Sequence, residues 1–335
     1  MSVSMINVAE SSPTSWVFLK DKMHDDTLEW YFHNATPRNW IEKHVRKPRL
    51  SRMRAAFCAA VDAKKHKARL IISHSPNVTF WTAIFCRLLN VKAKHLAFSF
   101  TFTKLPGRLV SLLMRYALRN VYKFTSFSNI ERELYSKYFN LPIEKFDYLP
   151  WTMDTPATGG YVTDGKPYIC AAGGEGRDYS TLVDAMKADA MKGLDIDLVI
   201  IARPENLLHK ELPQNVKLLT NVPLETFWSA IEQSKFSVVP MLSKETNCGH
   251  GTIVGGFALG KAVVTTYSYA THDYAVDEYN SLISEPGDAE GLAKNIVRLW
   301  NDSELCNEMS KNALKHYQEQ YDPVHAVTYI KALLN

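Results

Sequence analysis

The most constraining feature of this 335-residue chain is the run NCGHGTIVGGFALGKAVV at residues 247–264. It follows an apolar strand candidate at residues 236–240. The run predicts a polar, glycine-bearing loop, a helix over residues 251–259, a glycine that stops this helix, and a new β-branched strand. Successive glycines let backbone amides converge on an anion, and the helix would direct its partly positive N-terminus at the same place. The run therefore indicates a phosphate site, unless it is only a tight strand-to-helix turn.

Strands and helices alternate throughout the second half of the chain. Strand candidates lie at residues 168–172, 197–202, 216–219, 236–240, 262–266 and 281–284, and helix candidates at 179–191, 224–233, 251–259, 288–300 and 303–320. This alternation predicts a parallel sheet whose ligands bind at the carboxyl ends of the strands, which is a Rossmann-like domain.

The first half is less regular but is also predicted to be α/β. Its strand candidates are residues 16–19, 69–73, 94–98, 123–127 and 146–149, and its helix candidates are 52–65, 79–89, 107–119 and 130–139. Glycine, proline and threonine are concentrated at residues 155–167, which is typical of a linker. We expect two Rossmann-like domains facing a cleft, namely an N-terminal domain over residues 1–154 and a C-terminal domain over 168–322. A final helix over 323–335 would pack back on the N-terminal domain.

Charge is distributed unevenly along the chain. Residues 1–150 hold 24 Lys and Arg against 11 Asp and Glu, a net charge of +13, and the remainder carries −9. The basic half should prefer an anionic partner, such as an anionic lipid leaflet, nucleic acid or an acidic sugar polymer. Alternatively, the two halves simply attract each other.

Composition places the protein among ordinary globular chains. No apolar run reaches the roughly 18 residues that a membrane-spanning helix needs. Residues 1–14 lack the charged and then apolar pattern of a signal peptide, so we expect a cytoplasmic protein. The five cysteines are scattered and form no Cys-x-x-Cys pair, which indicates neither a disulfide framework nor a zinc site.

Four segments resemble a known family. They are Phe-Ala-Leu-Gly-Lys-Ala-Val-Val at 257–264, Ser-Asn-Ile-Glu at 128–131, and the segments at 141–154 and 273–288. In their order and spacing they resemble GT-B glycosyltransferases of the family 4 type, over roughly residues 70–335. The loop that begins at residue 247 is most similar to bacterial transferases that carry Cys-Gly-Gln there, with His250 in place of the glutamine.

The resemblance implies an activity. Such an enzyme moves a sugar from a UDP- or GDP-linked donor to a glycan or lipid-linked acceptor, here in surface polysaccharide or lipopolysaccharide synthesis. Similar enzymes retain the anomeric configuration and usually lack an obvious protein base. We expect the nucleotide sugar in the C-terminal domain, the acceptor on the N-terminal domain, and neither a cofactor nor a metal.

The resemblance also implies a set of donor-binding residues. They are Gly174, Glu175 and Arg177 after the strand at 168–172, and Glu245, Asn247, Cys248, Gly249, His250, Gly251 and Thr252 in the later loop. Similar enzymes place an arginine and a lysine at the first turn, where this chain has Glu175 and Arg177. A guanidinium suits a diphosphate because it donates two parallel hydrogen bonds. Alternatively, Arg177 belongs to a surface turn in which Asp178 caps the next helix.

Two glutamates of the family pattern are missing. Asn247 and Gly255 stand at their positions, so that either Glu245 substitutes or backbone amides hold the donor. This departure leaves open a degenerate transferase-like subunit that assists a partner enzyme without catalysis. A nucleic-acid-binding protein is a further alternative suggested by the basic half. The chain has no recognisable recognition module, so we expect no nucleic-acid partner.

The first half supplies candidates for catalysis and acceptor binding. His74 ends the strand at 69–73 and is the candidate catalytic residue, either near the donor sugar or next to an acceptor hydroxyl. Ser99, Phe100, Lys104 and Arg108 follow the strand at 94–98 and are candidates for the acceptor side. The aromatic side chains of this tract equally suit a core.

Basic residues of the first half indicate a membrane surface. The helix candidate at 107–119 places Arg108, Arg115 and Arg119 on one side, and residues 38–54 form a second basic stretch. Both suit a protein that lies peripherally at the inner face of a membrane, although an ordinary amphipathic core helix would show the same pattern.

One motif imitates a metal site. Asp195 and Asp197 have Asp-x-Asp spacing, but they begin a strand, and ligands bind at the other end of strands in such a sheet. The sequence therefore predicts no metal ligands.

Overall fold

The computed structural model describes residues 2–10, 18–45, 49–102, 104–207 and 211–334. The chain divides into two compact units. Unit 1 contains Met1–Pro150 together with Val324–Asn335, and unit 2 contains Trp151–Pro323. Each unit is built on one six-stranded sheet.

Unit 1 has a parallel sheet in the order β2-β1-β3-β4-β5-β6. Its strands are β1 (Val3–Ala9), β2 (Leu28–Asn34), β3 (Leu70–His74), β4 (Lys94–Phe98), β5 (Lys123–Ser126) and β6 (Phe146–Tyr148). Its helices up to β6 are α1 (Phe18–Met23), α2 (Trp40–His44), α3 (Leu50–Lys65), α4 (Pro76–Leu88), α5 (Arg108–Leu118) and α6 (Asn129–Phe139). The central strands are buried on both faces, as expected when helices cover a parallel sheet.

The beginning of unit 1 differs from the sequence prediction. The strand expected at 16–19 is wrong in its described part, because residues 18 and 19 begin α1, and residues 16 and 17 lie outside the described residues. The strands β1 and β2 were not predicted. Buried polar side chains interrupt the apolar pattern of β1. One of them, Asn7, can be buried because its side chain is hydrogen-bonded to His74 on β3.

Unit 2 has a second parallel sheet in the order β12-β11-β10-β7-β8-β9. Its strands are β7 (Tyr168–Ala172), β8 (Asp197–Ile201), β9 (Val216–Leu219), β10 (Ser237–Val239), β11 (Val263–Thr266) and β12 (Ser281–Ser284). The strand order changes direction between β7 and β10. Open α/β sheets bind ligands at such a switch point, beyond the carboxyl ends of the strands.

Among the described residues of unit 2, five helices flank the sheet. They are α7 (Tyr179–Ala185), α8 (Leu224–Gln233), α9 (His250–Ala258), α10 (Ala289–Asn301) and α11 (Ser303–His316), and a π-helical turn at Tyr317–Tyr321 follows α11. The predicted helix at 179–191 is wrong in its second half, because α7 ends at Ala185 and a separate 3-10 turn covers Asp189–Met191.

The last helix, α12 (Pro323–Leu334), packs on the sheet of unit 1. Its buried side chains share one apolar cluster with residues of β1, β3 and β4; those from α12 are Ala326, Val327, Ile330 and Leu333. Two polar contacts add to this packing, from Tyr329 to Asp147 and from Lys94 to the carbonyl of Leu333. Among the described residues, no helix has both the length and the apolar character needed to cross a membrane.

Candidate functional site

Two loops meet at the switch point of unit 2. One follows β7 at residues 173–178, and the other follows β10 at residues 240–249. Backbone hydrogen bonds join them, from Leu242 N to Gly176 O at 3.0 Å and from Asp178 N to Pro240 O at 2.9 Å. The loops therefore form one continuous surface at the edge where such sheets bind ligands.

Glycine is required where the loops touch. Gly176 has a φ of +66°, and a Cβ there would lie 2.4 Å from the Sγ of Cys248. Gly173 has a φ of +128°, and a Cβ there would lie 3.1 Å from the guanidinium of Arg177. Both positions combine a left-handed backbone with close neighbours, which only glycine accepts without strain.

Arg177 is the central side chain of this surface. It is 9% exposed, and its Nη1 donates to the carbonyl of Glu175 at 3.0 Å while its Nη2 donates to the hydroxyl of Thr252 at 3.0 Å. Its Nε is buried without a partner, and no described carboxylate forms an ion pair with it. A buried positive charge is costly unless an anion accompanies it. This arrangement is what an anion-binding site requires.

Burial of Arg177 contradicts the alternative interpretation of this turn, while its contact with a diphosphate stays a prediction. The surface-turn interpretation is wrong for Arg177, whose side chain is buried. The helix-capping role of Asp178 in the same interpretation is confirmed, because Asp178 caps α7 by accepting a hydrogen bond from Thr181 N at 3.0 Å.

The N-terminus of α9 points into the same place. Gly249 is its N-cap residue with a φ of +111°, and Gly249 O accepts the first helical bond from Ile253 N at 3.1 Å. The amides that open a helix have no acceptor within it and attract negative charge. Because Arg177 bonds to Thr252 in the first turn, its guanidinium lies at this helix end.

His250 is a neutral group next to Arg177. Burial, and then the charge of Arg177, lower the pKa of His250 to about 4. Its ring stands edge-on to Tyr274, with 5.2 Å between ring centroids. Hence His250 contributes shape and hydrogen bonding to the site at neutral pH, and Arg177 contributes the charge.

The indole of Trp228 occupies the space that a side chain at residue 255, the position of one missing glutamate, would need. A Cβ on Gly255 would lie 2.3 Å from the indole of Trp228, which α8 packs on α9. The side chain of Trp228 is buried there. Residue 255 therefore has no room for an acid, and whatever the glutamate does in similar enzymes is not done from this position.

Arg203 was missed by the sequence reasoning. It lies two residues after the end of β8, and its side chain lies over Gly174, where a Cβ would be 2.9 Å from Arg203 Nε. Asn206 fixes the turn by donating to Gly174 O at 2.9 Å. The sequence signal was available, since an arginine at the carboxyl end of a strand lies at the ligand-binding edge.

The remaining candidate donor residues surround this centre. Glu175 and Glu245 are exposed, whereas Asn247 and Cys248 are half-buried. The thiol of Cys248 donates to Glu175 O at 3.1 Å, and burial raises the pKa of this thiol. The structure therefore brings together Gly174, Arg177, Cys248, Gly249, His250, Gly251 and Thr252. Donor binding by these residues, and by Glu175, Glu245 and Asn247, stays a prediction.

His74 occupies a core position in unit 1. It is 2% exposed at the end of β3, its Nε2 lies 2.6 Å from the Oδ1 of Asn7, and Phe98 stands edge-on to its ring. Burial lowers the pKa of His74 to about 3, so the imidazole is neutral. Its catalytic role stays a prediction, but these features favour a structural histidine.

The acceptor-side candidates of unit 1 fall into two groups. Phe100 is completely buried among Phe124, Phe139 and Phe146, which favours the core interpretation for this ring. Ser99 is partly buried with a φ of +57°, and Lys104 and Arg108 are exposed. Acceptor contacts by these three residues stay a prediction.

Metal ligands do not cluster in the part of the chain that the structure describes. No group of three or more His, Cys, Asp and Glu side chains is placed there to hold a metal ion. Asp197 begins β8, at the amino edge of the sheet.

Comparison with known proteins identifies a family that matches part of unit 2. Residues 175–316, less than half of the chain, match the family described as Glycosyl transferases group 1. This stretch contains Arg177, Arg203 and the whole of α9. No curated protein matches the chain at a significant level.

Solved structures resemble the chain along its whole length. A glycosyltransferase from Rickettsia africae ESF-5 gives a TM-score of 0.76 at 13% identity, covering 99% of this chain and 98% of that chain. Anabaena Alr3699/HepE in complex with UDP gives 0.77 at 11% identity, covering 99% of both chains. Sucrose-phosphate synthase from Thermosynechococcus elongatus gives 0.70 at 13% identity, covering 99% and 98%. At such identities the likeness shows the fold, and the predicted α/β two-domain GT-B fold is confirmed.

Together, the fold and the match over residues 175–316 support a GT-B glycosyltransferase. The more specific family 4 subgroup stays a prediction.

Replacing Gly255 by alanine should destabilise the protein. The new methyl group overlaps the Trp228 indole, and such overpacking costs about 1 to 3 kcal/mol of the free energy of unfolding. Gly256→Ala is the matched control in the same helix, because its Cβ would lie 3.4 Å from Ser237 Oγ, an ordinary contact. Urea unfolding of both variants measures the difference, and equal stabilities would contradict the close packing.

A second prediction concerns the buried state of His74. Its folded pKa of about 3 lies below the unfolded value of 6.5, so the unfolded chain binds a proton that the folded chain excludes. This contribution to stability is complete above pH 6.5 and is lost as the pH falls, by about 2 kcal/mol between pH 7 and pH 5. Urea unfolding at both pH values should show a shallower loss for His74→Gln than for the wild type. Parallel profiles would show that the imidazole protonates freely in the folded protein.

Proposed function

We propose that the protein is a glycosyltransferase that binds a nucleotide sugar in unit 2 and transfers its sugar without a metal. The observation that carries this proposal is the buried guanidinium of Arg177, without an anionic partner among the described residues, at the N-terminus of α9. A nucleoside diphosphate supplies the missing negative charge at that point. The match of residues 175–316 to Glycosyl transferases group 1 supports the same assignment.

Each group at the site has a defined role in this proposal. As the bond between sugar and diphosphate breaks, negative charge grows on the leaving phosphate. Arg177, the first amides of α9 and the helix dipole stabilise that charge, and they act in a largely dehydrated site where each interaction is strong. These groups replace a divalent cation. Retention of the anomeric configuration is part of the proposal and comes from the resemblance to family 4 transferases.

Arg203 is proposed as the second cation of the site. Similar enzymes have an arginine where this chain has Glu175. Arg203 lies over the same turn, next to Gly174, from the neighbouring strand. A diphosphate that binds at Arg177 would have this exposed guanidinium beside it. This chain would then have two cations at the diphosphate, as similar enzymes do, but the second would come from the neighbouring strand.

UDP is the first donor nucleotide to test. Anabaena Alr3699/HepE, which has the same fold, was solved with UDP and with UDP-glucose. A thermal-shift screen with UDP, GDP, CMP and their sugar conjugates tests the choice, because a ligand of the native state raises the unfolding midpoint. No shift with any of them would overturn the nucleotide site.

The acceptor is proposed to bind unit 1, on the residues that include Ser99, Lys104 and Arg108. A glycan or lipid-linked acceptor would place the enzyme in surface polysaccharide synthesis at the inner face of a membrane. The net charge of +13 on residues 1–150 supports an anionic surface as the partner. Residues 155–167 are the proposed linker between an acceptor domain (1–154) and a donor domain (168–322).

A binding subunit without catalysis is the second candidate function. The packing of Trp228 on Gly255 favours it, because an acid is expected at residue 255 and this chain has no room for one. The two functions differ in one measurement. A subunit would bind the nucleotide sugar without releasing UDP from it in the presence of acceptors, whereas an enzyme would release UDP.

Replacing Arg177 by methionine should weaken UDP binding. Loss of a charge-assisted hydrogen-bonding group costs about 1.5 to 3 kcal/mol, which is a roughly ten- to hundredfold higher Kd. Isothermal titration calorimetry measures the affinity, and the unfolding midpoint without nucleotide checks that the variant is folded. Arg298→Ala is the control, because Arg298 is an exposed arginine of unit 2 that pairs with Glu278. Unchanged affinity in Arg177→Met would remove Arg177 from the site.

Transfer should persist in EDTA, because Arg177 and the α9 amides supply the charge that a metal would otherwise provide. The measurement is UDP release from the nucleotide sugar that gives the largest thermal shift. Complete loss of turnover in EDTA, restored by Mg²⁺ or Mn²⁺, would contradict the proposed mechanism.

A further inference from the structure

The helix α5 has apolar side chains on two faces. Its inner face, Met114, Ala117 and Leu118, is buried in the core of unit 1. Its outer face consists of Leu109, Leu112, Leu113 and Tyr116, which are between 55% and 80% exposed. These four residues follow the i, i+3, i+4, i+7 spacing, so they form one continuous stripe along the helix.

The outer face of α5 continues on to the end of α4. Leu88, the last residue of α4, is 73% exposed. Arg87 beside it lies 4.2 Å from the ring centroid of Tyr116, which places the end of α4 against the outer face. Single exposed leucines are ordinary on protein surfaces, whereas a continuous apolar stripe marks an interaction surface.

Cations border this surface at the C-terminal end of α5. Arg119 is exposed, and Lys145 donates to the carbonyls of Arg119 and Val121 at 2.6 and 2.7 Å. Tyr122 follows, and the Nζ of Lys94 lies 5.3 Å from its ring centroid. The apolar stripe therefore ends in a group of positive charges.

Lys94 also lines a basic pocket of about 350 Å³. Four further cations line this pocket, namely Lys64, Lys67, Arg69 and Lys92, and its described lining contains no acidic side chain. A concentration of positive charge of this kind attracts anions. The pocket therefore suits an anionic group such as a phosphate.

The earlier basic stretch at 38–54 is less suited to an external anion. Arg52 pairs with Glu10 at 2.8 Å, and Arg54 pairs with Glu42 at 2.7 Å. Arg46 and Lys47 lie outside the described residues. On α5, by contrast, a continuous apolar stripe of four exposed residues ends beside basic groups.

We propose that the outer face of α5 inserts into the headgroup region of an anionic phospholipid bilayer. Leu109, Leu112 and Leu113 would enter the boundary of the acyl chains, while Arg87, Arg119 and the basic pocket would bind lipid phosphates. Apolar insertion and electrostatic attraction add to each other in such interfacial helices. That this surface serves to reach a lipid-linked acceptor rests on the proposed function, whereas the membrane binding itself is inferred from the exposed and charged residues alone.

Flotation of the protein with liposomes tests the proposal. Vesicles of phosphatidylcholine alone are compared with vesicles that also contain phosphatidylglycerol, at low and high salt. The variant is Leu112→Gln/Leu113→Gln, whose sites are exposed, so that folding should be unaffected. The matched control is Leu224→Gln, an exposed leucine at the start of α8 in unit 2. A second variant, Arg119→Glu/Lys92→Glu, tests the charges.

The wild type and Leu224→Gln should float with anionic vesicles and lose binding as salt rises. Both double variants should bind at least about tenfold more weakly. Equal flotation of Leu112→Gln/Leu113→Gln and the wild type would overturn the proposal, as would equal binding to neutral vesicles. A wild-type dimer that Leu112→Gln/Leu113→Gln dissociates, without any vesicle binding, would show that a second copy covers α5.

A thermal-shift measurement with UDP on the same samples separates this proposal from the glycosyltransferase. Flotation without a UDP shift would contradict the proposed donor site and leave the membrane surface standing. A UDP shift without flotation would contradict the membrane surface and leave the proposed donor site standing.

Discussion

Arg177 holds a positive charge where water has little access, and the loops of unit 2 around it supply the hydrogen-bond acceptors that make this charge tolerable. A carbonyl and a hydroxyl accept from its two terminal nitrogens, but neither carries a full negative charge. The two glycine-bearing loops bring these acceptors close, and the switch between β7 and β10 brings the loops together. A buried charge without an accompanying anion is costly, and the proposed diphosphate would supply the missing negative charge.

Much of the fold could be predicted from the sequence, because in most segments the local apolar pattern favours the same element that the packed structure contains. The helix at 224–233 and the strand at 168–172 lie where the pattern placed them, since apolar periodicity and flanking turn residues indicate the same element. The strand β1 was missed because its polar Asn7 is satisfied by a residue 67 positions away, which no local window detects. Long-range pairing of this kind is invisible to periodicity.

Part of the candidate site could likewise be predicted from the sequence, namely the part whose residues lie close together along the chain. The glycine turns and Arg177 have local signatures, and the structure brings them together. The packing of Trp228 against Gly255 joins two helices and has no local signature at all. Arg203 lies between these cases: its place after β8 was visible in the sequence, but its approach to Gly174 depends on the pairing of β7 with β8. Residues that act across neighbouring strands are therefore the ones that a single sequence hides.

The return of α12 to unit 1 sets an order for folding during synthesis. Unit 2 is continuous in sequence, so all of its strands are available once residue 323 has left the ribosome. The sheet of unit 1 is synthesised first, yet the apolar surface covered by Ala326, Ile330 and Leu333 stays open to solvent until the final helix emerges. The half of the chain that is made first is therefore completed last, and in the interval its uncovered strands are a surface that a chaperone would recognise.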